Sequence, residues 1–187
     1  MGNIISEMTM RRSIREYQER RVPMELLETL VKAGTYAPSA RNRQKWHFTV
    51  IQNDEARRRI TDTLKRAAHH ESVPDFLAPL VDTPQYRVGY NAPALIVISG
   101  DASWGTAVND CTLAAGNIML AAHSLGLGSC WINQPSVVCD VPEFRALLTE
   151  FGVPPEYKVF ATLCAGYPDR SIPHAPERLP GVVNYVE

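Results

Sequence analysis

The chain is 187 residues long, 45% of them hydrophobic, with a formal net charge of −1. That length and apolar content support one domain with a full core and exclude global disorder. The charge balance excludes the electrostatic footprint of a protein that binds nucleic acid or an anionic membrane.

Residues 4–10 predict a short helix with Ile4, Ile5 and Met8 on one face. It runs into Arg11-Arg12-Ser13-Ile14-Arg15. Such a run is either a solvated basic face or an anion site, where guanidinium forks and a short hydroxyl match phosphate oxygens. Residues 23–33 read as a helix, with Pro23 at its first position, Gly34 just past its end and Leu26, Leu27, Leu30 and Val31 as its buried stripe. The polar stretch 36–45 leads into a strand at 46–51. It is either an ordinary surface loop or a source of amide donors and acceptors for a heterocycle. Asn53 or Asp54 caps a third helix to about Ala68. Ile60 and Leu64 are its apolar contacts, and Arg57, Arg58, Arg59, Lys65 and Arg66 read as a solvated face. Residues 71–90, carrying Pro74, Pro79 and Pro84, are irregular apart from a short helical piece, and form a lid or a surface excursion. Residues 94–99 predict a strand buried on both faces.

Residues 107–125 predict the central helix, apolar nearly all round and therefore buried. Asn109, Asp110, Asn117 and His123 interrupt it too often for a membrane span of about 20 apolar residues. Ala114, Ala115, Gly116, Ala121, Ala122 and Ser124 are small enough for a second backbone to approach. A glycine inside a helix costs about 1 kcal/mol against alanine, which points to close packing at Gly116. Gly126 is a left-handed cap, followed by a strand at 128–132. A helix starts at Asp140 and Pro142 and closes at Gly152, and residues 157–165 form the last core strand. Residues 168–180 are a Pro-rich tail, and 182–186 predict a small strand at a sheet edge. Four cysteines (Cys111, Cys130, Cys139 and Cys164) and five histidines show no metal-ligand spacing, so no metal is expected. Residues 1–10 lack the apolar run of a secretory leader, and reduced thiols in a cytoplasmic protein are the simplest reading. The class is α+β or mixed α/β, with four or five strands and helices on both faces.

Taken together, these segments resemble the FMN-dependent nitroreductase family over nearly the whole chain. The resemblance is carried by Arg11-Arg12-Ser13-Ile14-Arg15, by the stretch from Ala37 to Phe48, by Ala92-Pro93-Ala94-Leu95-Ile96-Val97, by the stretch from Ala121 to Ile132, and by Arg178 before Pro180. It implies a three-layer α+β fold around a mostly antiparallel sheet of four to five strands. It further implies a single flavin-binding domain over residues 1–187, an intertwined homodimer, and a tail from about 168 to 187 that extends onto the partner. The implied activity is that of an oxidoreductase passing hydride from NADH or NADPH through FMN to a nitroaromatic, a quinone or a similar small acceptor. In this reading Arg11, Arg12, Ser13 and Arg15 hold the ribityl phosphate and the pyrimidine edge. Pro38, Ser39, Ala40, Asn42 and Gln44 reach the flavin from the partner. Cys130, Trp131, Ile132 and Asn133 pack near the ring, and Arg178 returns to the phosphate. No catalytic side chain is implied. Within the same fold the open alternatives are a reductive dehalogenase or a flavin-cleaving enzyme. Outside enzymes, a flavin carrier or sensor also stays open. The sequence departs from the family at Lys45, where proline is common, at Asn133, where glycine is common, and in the tail, where two basic residues usually lie close together but His174-Ala175-Pro176-Glu177 precedes Arg178.

Overall fold

In the computed structural model residues 4–171 and 174–187 are described. Two residues of the expected Pro-rich tail, 172 and 173, lie outside them. Four strands form one sheet in the order β1-β2-β4-β3: β1 (Trp46–Ile51), β2 (Ala94–Asp101), β3 (Gly128–Trp131) and β4 (Tyr157–Gly166). Every pairing is antiparallel. β2 and β4 are central, which explains their nearly continuous apolar runs. Side chains alternate between two faces along a strand, and β2 divides accordingly. Leu95 and Val97 join one core, while Ala94, Ile96 and Ile98 join the other.

Helices cover both faces. α2 (Met24–Thr35) and α5 (Ala107–Ser124) bury Leu27, Leu30, Ala115, Ile118 and Ala122 on one side. α3 (Asp54–Ala67), α4 (Leu77–Val81), α6 (Gln134–Val138) and α7 (Pro142–Glu150) cover the other. α1 (Ile4–Met10) buries no residue within the chain. Asn53 caps α3 by accepting a hydrogen bond from the Ala56 amide at 2.9 Å. Gly126 adopts φ +74°, the expected left-handed stop.

Several expectations change. Pro23 is the cap of α2 rather than its first helical residue, and Gly34 lies inside the helix. A Cβ at Gly34 would fall 2.9 Å from Ile118 Cδ1 and 3.2 Å from Phe48 Cε1. The glycine therefore lets α2 cross α5 closely rather than ending the helix. Asp140 does not cap α7, whose cap is Val141. Asp140 instead binds Lys158 at 2.7 Å and Arg145 at 3.2 Å. Residues 182–186 form no strand and are exposed. α5 is buried on one face only: Val108 and Leu113 are 48% and 47% exposed, and a Cβ at Gly116 would meet no atom within 4 Å.

Candidate functional site

The arginine run lies along the free edge of β3. Ser13 forms a parallel bridge with Ser129, and the Ile14 amide donates to the Ser129 carbonyl at 3.0 Å. Alternation along this extended segment turns Ile14 inward, where it packs against Gly128; any Cβ there would meet Ile14 at 2.8 Å. The neighbouring positions, Ser13 and Arg15, point the other way. Tyr17 fastens the segment from below, its hydroxyl donating to the Ile14 carbonyl at 2.5 Å and lying 3.2 Å from Cys164 Sγ. Arg15 Nε donates to the Tyr90 hydroxyl at 3.3 Å, and its guanidinium sits 5.7 Å from the Tyr90 ring centre. Tyr90 is the middle of three successive left-handed residues, with φ of +75° at Gly89, +56° at Tyr90 and +60° at Asn91. Non-glycine residues in that region store about 1–3 kcal/mol each, and here the strain aims Tyr90 at Arg15.

Arg11 Nη1, Arg12 Nε and Ser129 Oγ are buried without a hydrogen-bond partner among the described residues. Arg12 also donates to the Thr9 carbonyl. Buried donors are rarely left unmet, so a cluster of them on one edge points to an acceptor that the chain does not supply. The electrostatics agree. The Cys130 thiol is drawn down to about 6, first by a hydrogen bond from Cys164 and then by the charges of Arg15 and Arg11 and the Ser13 hydroxyl, against burial that opposes ionisation. Trp131 is half-buried, Ile132 buried and Asn133 exposed just ahead of α6.

The 38–44 loop is built elsewhere. A single 3-10 turn, Ala40–Asn42, is closed by the Asn42 amide donating to the Ser39 carbonyl at 2.9 Å. The Gln44 amide donates to Ser39 Oγ at 3.1 Å, and the Gln44 side chain to Asn42 Oδ1 at 2.9 Å. Arg41, Asn42 and Gln44 all have positive φ. The Ala40 amide donates to Asp110 Oδ1 at 3.1 Å, in the first turn of α5. The arginine run instead follows α1, whose Glu7 lies 3.7 Å from His123 in the last turn of α5. Asp110 and His123 are about 20 Å apart along a helix rising about 1.5 Å per residue. Within one chain the two predicted halves of the site are therefore at opposite ends of α5. Pro38, Asn42 and Gln44 are exposed, while Ser39 and Ala40 are half-buried. Lys45 pairs with Asp101 at 3.2 Å. Arg178 is exposed and makes no hydrogen bond or ion pair among the described residues.

Sequence reasoning missed Tyr17, Tyr90, Ser129 and Asp110. Asp110 carried a signal, as a carboxylate inside an apolar helix. It is 3% exposed and anchors the loop. Tyr90 acts through a contact distant in sequence and carried none, and Tyr17, though close to Ile14 in the chain, is set in place by Cys164 across the sheet.

A four-stranded antiparallel sheet with helices on both faces, a strained polar loop at one end of α5 and an arginine-lined edge at the other sets the class as an α+β protein. The sequence pattern of the Nitroreductase family matches residues 8–167, and the chain belongs to that family. A nitroreductase of Bacteroides fragilis solved with bound FMN is 33% identical, superposes with a TM-score of 0.93 and is covered in full, as is this chain. A provisionally named NADH dehydrogenase/NAD(P)H nitroreductase of Methanothermobacter thermautotrophicus is 32% identical over 89% of this chain and 78% of its own length. An iodotyrosine deiodinase of Thermotoga neapolitana is 27% identical over 89% of each.

Proposed function

We propose that the chain is an FMN-dependent oxidoreductase taking hydride from NADH or NADPH and delivering it to a nitroaromatic, a quinone or a similar small acceptor. The observation that carries this reading is the pair of orphaned guanidinium nitrogens on Arg11 and Arg12. These residues fit a phosphate monoester, which offers several charged acceptors to donors that have none. FMN, when bound, supplies the hydride relay. The residues of the chain bind and orient it. Arg11, Arg12 and Ser13 would take the phosphate. Arg15, steadied by Tyr90, would place positive charge near the pyrimidine edge, where it raises the flavin's electron affinity. Cys130, Trp131, Ile132 and Asn133 would floor the ring.

We assign Pro38, Ser39, Ala40, Asn42 and Gln44 to the flavin of a second copy, because they are built at the far end of α5 from Arg11 and Arg12. A homodimer through α5 follows. Val108, Leu113 and the open side of Gly116 face outward on α5. Ile4, Ile5 and Met8 add exposed apolar surface on the adjoining α1. Arg178 and the tail would reach the partner's phosphate. Among the described residues no helix is long and apolar enough to cross a membrane, and the chemistry needs none.

The test is the absorption spectrum of the purified protein followed by anaerobic titration with NADH and NADPH. One non-covalent FMN per chain, bleached by a nicotinamide donor and restored by a nitroaromatic, is expected. A colourless protein that takes up no added FMN would remove the basis of the reading. The deiodinase relative favours one second reading, reductive dehalogenation, for which release of iodide from 3-iodotyrosine by the reduced protein is the check.

A further inference from the structure

We propose that the cavity between the start of α3 and the 89–91 turn is a second anion site, taking a phosphate group of a small molecule other than the flavin. Its volume is about 500 Å³, within the range of small-molecule sites and larger than one phosphate needs. Four guanidiniums line it, those of Arg21, Arg57, Arg58 and Arg87. That concentration is local, because the whole chain carries a net charge of −1. None of the residues assigned to the flavin lines it.

Carboxylates pair with two of these four cations. Asp54 is engaged by Arg57 at 2.7 Å, and Arg58 is engaged by Glu55 outside the cavity lining. Arg21 has no hydrogen-bond or ion-pair partner among the described residues. Arg87 donates through Nη1 to the carbonyls of Pro84 and Tyr86, both at 2.8 Å, and to no carboxylate. Asp54 also feels the charge of Arg21, and Glu19 joins it in the lining, so four guanidiniums there face two carboxylates and an excess of positive charge remains. Arg57 is held rigidly. Its Nη1 donates to the Ala92 carbonyl at 2.7 Å, its side chain is only 18% exposed, and its Nε is buried without a partner. A fixed guanidinium beside Arg21 and Arg87, neither of which is hydrogen-bonded to a carboxylate, suits an oxyanion with several acceptor oxygens. Asn91 closes the cavity and is the neighbour of Tyr90, which holds Arg15. The occupant would thus lie beside the proposed flavin site without sharing its residues.

The experiment is isothermal titration of FMN-saturated protein at low salt with inorganic pyrophosphate and, separately, adenosine 2′,5′-bisphosphate. One saturable site per chain is expected, weakened by added salt. Arg87→Ala and Arg21→Ala should each lower the affinity about ten- to a hundredfold, with the flavin spectrum unchanged as proof of folding. Arg11→Ala should leave this binding intact, which separates it from the flavin phosphate contacts. The same titration runs without FMN if none binds, so it can succeed where the flavin reading fails. Tighter binding of the bisphosphate identifies a nucleotide as the source, and equal binding identifies free phosphate; either upholds the site. No saturable binding at millimolar ligand overturns it, as does binding lost in Arg11→Ala but kept in Arg87→Ala.

Discussion

Arg11 Nη1 and Arg12 Nε are buried with no hydrogen-bond acceptor among the described residues. An unmet charged donor costs free energy, whereas a charged hydrogen bond contributes about 1.5–3 kcal/mol. Arg11→Ala and Arg12→Ala should therefore lower FMN affinity roughly ten- to a hundredfold each. The same substitutions should leave the FMN-free protein as stable as before or more so. Thermal melts with and without FMN check this, and a large loss of stability in the FMN-free variant would show the two side chains to be structural. Cys130 gives a second reading of the same charges. Its thiol is drawn to about 6 by the Cys164 hydrogen bond, with Arg15 and Arg11 adding to it. A cation favours the thiolate, so removing one must raise the value. In FMN-free protein the ultraviolet thiolate absorbance should titrate near pH 6, disappear in Cys130→Ser, and move to higher pH in Arg15→Ala. These residues also mark how far the site was legible. Arg11 to Arg15 were readable because a run of guanidiniums is a local signal. Tyr17, Tyr90 and Ser129 were not, because they meet that run only through contacts made after folding.

At the scale of elements, periodicity and caps placed most of the helices and strands correctly, and the errors have physical causes. α6 is five residues long, too short for a helical period to show. The arginines of α3 look like a solvated face by composition, yet Arg57 turns inward because the Ala92 carbonyl and Asp54 fix it. Gly34 reads as a helix end because glycine is the usual residue there, but its use is the crossing of α2 over α5. That crossing yields a prediction with opposing terms. Alanine at position 34 gains about 1 kcal/mol of helix propensity, while crowding Ile118 costs about 1–3 kcal/mol. Gly34→Ala should be destabilising in the native background. It should be less destabilising beside Ile118→Val, which removes the Cδ1 atom lying 2.9 Å from the new Cβ but leaves Ile118 Cγ1 at 3.0 Å and Phe48 Cε1 at 3.2 Å. Denaturant midpoints of the two single variants and the double variant decide it, and simple additivity would mean that the contact relaxes without cost.

For the molecule as a whole, the separation of the arginine run from the 38–44 loop predicts sites completed between copies. Arg11→Ala/Arg12→Ala protein and Asn42→Ala/Gln44→Ala protein should each bind FMN poorly. Unfolded together in equal amounts and refolded, they should form mixed dimers with one intact site, recovering about a quarter of the sites by random pairing of subunits. No recovery would place both halves within one chain. A Cβ at Gly116 would meet no atom within 4 Å, so Gly116→Leu should spare the fold of the subunit while abolishing both dimer and FMN on one sizing column. The bridges from Ser13 to Ser129 and from Tyr17 to Pro168 have a consequence in time. The arginine run is synthesised more than a hundred residues before the strand edge that receives it. At roughly 5–20 residues per second of synthesis, the run waits on the order of ten seconds as a bare cationic segment. It is then drawn in by a later segment of the same chain, so a nascent polypeptide stalled before β3 carries the arginines but has no edge to hold them.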